Sequence, residues 1–140
     1  MKKVTLIIAI LFSSYLAKSQ QYVNLLGKSK ADIMDILSSN KELEFKSFDK
    51  SVDGVQFILY SVINDPSLFE AFFINNEGYC YIIKHIMPMK LYPLVIKSFK
   101  EKPNYVMKEN DLWIDNDAKL VFSIRTIPNS QSFTLEVTRL

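Results

Sequence analysis

The first residues to weigh for nucleophilic chemistry are Cys80 and His85, the chain's only cysteine and only histidine. A thiol and an imidazole within hydrogen-bonding reach make a nucleophile and its base. Both lie in the apolar run Tyr79 to Ile86, which reads as a strand. Side chains alternate faces along a strand, so a separation of five sets the two on opposite faces, ~16 Å apart along it. Only a bulge between them would change that. Cys80 is therefore expected as a small core residue and His85 as a surface residue at the strand end. One Cys and one His cannot build a zinc site of ordinary composition. No metal and no cofactor is expected.

The carboxylates suggest turns before chemistry. Asp111, Asp115 and Asp117 flank Trp113, superficially as in a sugar-cleaving site. They fall at expected turns, where Asp is common because its side chain bonds the nearby backbone. Asp49-Lys50-Ser51-Val52-Asp53-Gly54 opens like a calcium loop, but Tyr60 stands where the bidentate glutamate belongs. There is no G-x-S-x-G motif and no glycine-rich phosphate loop. The reading is a non-enzymatic protein.

The elements that would position a site are legible. Ser29 reads as the N-cap of a helix with Asp32 at its third position, and Ile33, Ile36 and Leu37 share one face. Strands follow near Leu43 to Phe48, Val55 to Ile63, Phe69 to Ile74 and Tyr79 to Ile86. Asp53-Gly54, Asn64 to Ser67 and Asn75 to Gly78 are the turns between them. A second helix fits Met89 to Lys102, with Pro93 tolerable in its first turn. Tyr105 to Lys108, Leu112 to Ile114, Lys119 to Ile127 and Ser132 to Arg139 complete the pattern. The short connections require antiparallel pairing. The expected fold is α+β, an antiparallel β-meander sheet with two helices, and its order suggests a duplicated α-β unit of three or four strands.

The first twenty residues read as an address. Lys2 and Lys3 precede the apolar run Val4 to Phe12, and Ala17-Lys18-Ser19 presents small residues where a signal peptidase cuts. The run is too short for a membrane span. Residues 1–19 are expected to be a signal peptide and 20–140 a single domain, exported to the periplasm or the medium. The whole chain carries 17 basic and 15 acidic residues. Lys2, Lys3 and Lys18 belong to the signal, so 14 basic residues then face 15 acidic ones. A near-neutral surface has no long-range field to gather nucleic acid. Lys97, Lys100 and Lys102 read as a solvated helix face.

One asymmetry separates the halves. In the last strand Phe133, Leu135 and Val137 alternate with polar residues, giving one buried and one wet face. In the first half, Phe57, Leu59 and Ile63 oppose Ile58, Tyr60 and Val62, so both faces are apolar. One face then needs a helix and the other a further cover. Tyr60, Phe72, Tyr79 and Tyr81, with Trp113, are the expected binding residues, since tyrosine combines apolar area with a hydroxyl. The expected function is an exported protein-binding module that uses this aromatic-rich face against another protein or a second copy. The alternative is a periplasmic carrier of a small apolar ligand, held in a cavity between sheet and helices.

Leu26-Gly27-Lys28-Ser29-Lys30, Asn76-Glu77-Gly78-Tyr79-Cys80 and Asp111-Leu112-Trp113-Ile114-Asp115, after a signal ending at Ser19-Gln20, resemble a family of small exported proteins of Gram-negative bacteria with no established activity. The resemblance implies export and a compact α+β fold. The helix-then-meander order, met twice, is also similar to the architecture of β-lactamase-inhibitor protein, which implies a binding role. The export reading predicts that protein purified from its own host begins at Gln20. Its intact mass checks this, and a retained Met1 would exclude cleavage.

Overall fold

The computed structural model describes residues 22–140. The expected signal segment and Gln20 lie outside the described residues. Tyr22–Leu25 form a short 3-10 helix, followed by α1, Lys30–Ser38. Four strands come next: β1, Leu43–Lys50; β2, Gln56–Val62; β3, Asp65–Ile74; and β4, Cys80–Pro88. The 3-10 turn Met89–Leu91 leads into α2, Tyr92–Glu101. Four more strands follow: β5, Tyr105–Glu109; β6, Leu112–Asp115; β7, Leu120–Thr126; and β8, Ser132–Arg139.

All eight strands form one antiparallel sheet in the order β1-β2-β3-β4-β8-β7-β6-β5. Each helix is thus followed by its own four-stranded meander. The two meanders meet through their last strands, β4 and β8. The expected duplicated unit has four strands in each half. No helix among the described residues is long and apolar enough to cross a membrane.

Local chemistry accounts for the boundaries. Asp32 N donates to the Ser29 hydroxyl at 3.2 Å, and the Asp32 carboxylate accepts from Ser29 N at 3.4 Å. This reciprocal capping box satisfies amides that have no partner inside the helix. The same turn is tied to the sheet, because Gly27 N donates to Cys80 O at 2.7 Å and Cys80 N to Lys28 O at 2.9 Å. Gly78 has φ +88 in the β3–β4 turn, a conformation that a side chain would strain. Pro93 sits in the first turn of α2, where no amide is needed. The expected turn at Asp65 to Ser67 is instead the start of β3. The register jumps from Val62↔Asp65 to Ser61↔Phe69, so Pro66 falls in an irregular stretch that asks no ladder bond of it.

Both helices cover the same face of the sheet. Ile33 and Leu37 of α1, and Val95 and Phe99 of α2, are buried in one cluster with Ile58, Phe72, Ile83, Val137 and Phe122. Across the second half, the Phe99 ring packs on Trp113 at 5.0 Å and on Phe122 at 5.2 Å, and Tyr105 stacks on Phe122 at 5.1 Å. Across the first half, Phe72 takes edge contacts from Tyr22 at 6.1 Å and Tyr60 at 6.0 Å. Phe99 is the one helix residue that reaches three rings of the second half. Phe99→Ala is expected to cost about 3–5 kcal/mol. Urea unfolding followed by Trp113 fluorescence measures it.

Candidate functional site

Directly paired residues of an antiparallel sheet point to the same side. Register therefore sorts the side chains into a helix-covered inner face and an outer face. Ile58, Phe72, Ile83, Val137, Phe122 and Trp113 form one inner row. Phe45, Tyr60, Glu70, His85 and Leu135 form the next.

The expected binding residues divide on this basis. Tyr60, Phe72 and Trp113 lie on the inner face at 4%, 0% and 2% exposure. They are core residues, and the expectation that they present a contact surface is corrected. Each falls on the side of its strand that the helices cover, which alternation alone could not choose because both sides are apolar. Tyr79 and Tyr81 are exposed. Tyr79 forms an isolated bridge with Ser29. Tyr81 is the extra residue of a bulge, since Ile74 pairs with Cys80 and Phe73 with Ile82.

That bulge also corrects the placement of Cys80 and His85. It shifts the alternation by one, so both residues face the helices. They still do not form a catalytic pair. The buried Cys80 thiol donates to Ile82 O at 3.6 Å, and burial pushes its pKa up to about 12. His85 is not a surface residue but is 1% exposed. Its Nδ1 is in ion-pair contact with Oε2 of Glu70, its direct cross-strand partner, although the approach is not aligned as a hydrogen bond. Nε2 has no hydrogen-bond partner. Tyr22 lies near Glu70. Its phenol is pushed up to about 12 by burial and by the charge of Glu70, and it accepts from Asn40 Nδ2 at 3.3 Å.

Sequence reasoning missed Glu70 altogether, yet a signal was present. Leu68, Glu70, Phe72 and Ile74 share one side of β3, and all are buried. A carboxylate inside an apolar period-2 pattern requires a partner, and His85 stands at the matching place on β4. Two of the aspartates around Trp113 make structural contacts. Asp111 accepts from the Tyr92 hydroxyl at 2.9 Å, and Asp115 accepts from Asp117 N and Ala118 N, each at 3.0 Å.

The outer face carries the feature that the fold does not use. Phe57 and Leu59 of β2, Phe69 and Phe73 of β3, and Ile82 and Ile86 of β4 form a continuous patch of half-buried apolar side chains. Phe57 stacks on Phe73 at 5.4 Å. Small residues, Ala71 and Ser61, are buried between the larger ones. No described helix lies across this side. Next to β4 the outer face carries a polar band, with Thr134, Glu136 and Thr138 on β8 and Ser123 and Arg125 on β7, before Val121 of β7 and Leu112 and Ile114 of β6 make it apolar again. At the seam, Lys84 Nζ lies 2.8 Å from Glu136, and Arg125 Nε lies 3.4 Å from the same carboxylate.

No protein family, characterised protein or solved structure matches the chain. The candidate site therefore rests on its own geometry: an apolar patch on β2–β4 with a charged border.

The buried pair makes a separate prediction. Removing one partner leaves a polar group in the core without compensation, whereas replacing both with apolar side chains removes the need for it. Glu70→Ala is expected to cost about 3–5 kcal/mol. The double variant Glu70→Leu/His85→Leu is expected to recover most of that loss. Urea unfolding of the three proteins checks both statements.

Proposed function

We propose that this protein is an exported, non-enzymatic protein-binding module whose contact surface is the outer face of β2–β4. The observation that carries the reading is the patch of Phe57, Leu59, Phe69, Phe73, Ile82 and Ile86, which no described helix covers. A contiguous apolar patch rimmed by polar residues is the pattern of an interaction site. The patch also has the anatomy of an interface, with rings at the centre and charged residues at the margin. Export follows from the reading of residues 1–19.

The site differs from the one that tyrosine placement suggested. Its anchors are phenylalanines and aliphatic residues on the side away from the helices. Tyr81 adjoins Ile82 in the chain and is the one expected binding residue next to the patch. The space between sheet and helices, where a carried ligand would sit, holds the ring contacts of Phe72 and Phe99. A surface depression of about 590 Å³ lies elsewhere, at the sheet end beside Val23, Asn24, Lys119, Leu120 and Arg139.

Native mass spectrometry of the protein from its own host tests the reading. A stoichiometric protein partner is expected. It should be lost in Phe69→Lys, a substitution within the patch, and retained in Ile36→Lys, a substitution at an exposed site on α1. An added mass of about a few hundred daltons, insensitive to Phe69→Lys, would instead support the carrier reading.

A further inference from the structure

We infer that the partner on the outer face is a second copy of this chain, stacked sheet to sheet about a two-fold axis that runs along the strands near β3. The inference rests on the docking surface proposed above and identifies its occupant.

The argument begins with size. Strands lie about 4.8 Å apart and rise about 3.3 Å per residue, so three strands give a footprint of about 10 Å by 20 Å. A stable interface takes about 800 Å² from each partner. The apolar patch alone is too small, so any occupant must also cover the strands on either side. The charges on those strands then decide which occupant fits.

The two borders carry opposite charge. On β1, Glu44, Ser47 and Asp49 pair with Ser61, Leu59 and Phe57 and so point outward. Lys46, the extra residue of the β1 bulge, reaches back to Glu44 at 2.6 Å. Two carboxylates against one ammonium leave this border with one surplus negative charge. On the other side, Lys84 and Arg125 share the single carboxylate of Glu136. That border keeps one surplus positive charge. Opposite charges on the two sides of an apolar strip make the surface complementary to itself.

Complementarity also selects the geometry. Rotation about an axis along the strands lays β1 of one copy over the β4/β8 seam of the other, so the acidic border meets the basic one at both ends. β3 then meets β3, and Phe69 and Phe73 lie at the centre of the contact. Rotation about an axis across the strands would set β1 on β1, acid against acid. Like charges placed face to face are costly and exclude that arrangement. The favoured one keeps the strands of both sheets aligned, as in sheet sandwiches. It is isologous, so it closes at two copies and leaves no patch free to propagate.

Sedimentation of the protein purified from its host, over a hundredfold concentration range, provides the test. Twice the chain mass is expected, falling to one chain in Phe73→Glu. Circular dichroism confirms that this variant is folded. Two border variants keep the test decisive if it is not. Glu44→Arg alone and Arg125→Glu alone should each raise the dissociation constant about tenfold, because each brings like charges together. The double variant, with its borders exchanged, should restore association. Independent losses that simply add would overturn the proposed geometry, and a single-chain mass at every concentration would overturn the second copy as occupant. In that case a different stoichiometric partner that is lost in Phe69→Lys would leave the docking surface standing. The absence of any partner would remove that as well.

Discussion

The antiparallel pairing of β4 with β8 is the contact on which the rest of the molecule depends. Each half is a helix with its own four-stranded meander, and neither helix can bury its apolar stripe without a broad sheet beneath it. Joining the halves through their last strands makes one eight-stranded surface. It also places both helices on the same side, over a core that runs from Ile58 on β2 to Trp113 on β6. The register Ile83↔Val137 and His85↔Leu135 continues the inner rows of one half into the other.

The same join makes the two faces unlike. On the inner side it gives continuity, with Phe72, Ile83, Val137 and Phe122 in one row. On the outer side it sets the apolar patch of β2–β4 beside a polar band on β8, and the boundary is occupied by Lys84, Glu136 and Arg125. Burying this seam against a partner would be expensive if its charges were unpaired, and the shared carboxylate lowers that cost. The edge strand β1 supplies a second charged border, and its bulge at Lys46 discourages edge-to-edge pairing. Face-to-face contact is what the surface leaves available.

The Glu70–His85 pair shows the stringency of the inner face. Two ionisable side chains occupy the middle of the sheet, in a layer otherwise filled by rings and aliphatic groups. Such a pair gives little net stability, but each member makes the other indispensable. It also favours one register of β3 and β4, because a slip of one residue between them would turn one group to the outer side and leave the other in the core without its partner. The apolar outer patch lies on these same strands, so the core pair and the candidate surface share one alignment.

Much of this architecture was legible in the residues. Ser29 and Asp32 mark the start of α1, Pro93 the first turn of α2, and Asp53-Gly54 and Gly78 two of the turns, because these features depend on local backbone chemistry. The alternation of Phe133, Leu135 and Val137 likewise identifies a strand with one wet face. What the sequence could not decide was which side of an all-apolar strand the helices would take. Tyr60 and Leu59 are equally suited to either, and only the packing of Phe72 beneath Tyr22 and Tyr60 settles the matter. The bulge at Tyr81 was equally hidden, since an inserted residue is visible only against the strand it pairs with, and it reversed the expected relation of Cys80 to His85. Local rules fixed the elements because they act within a few residues. The faces, the buried pair and the outer patch required the sheet itself, since a side chain acquires an inside only when another part of the chain covers it.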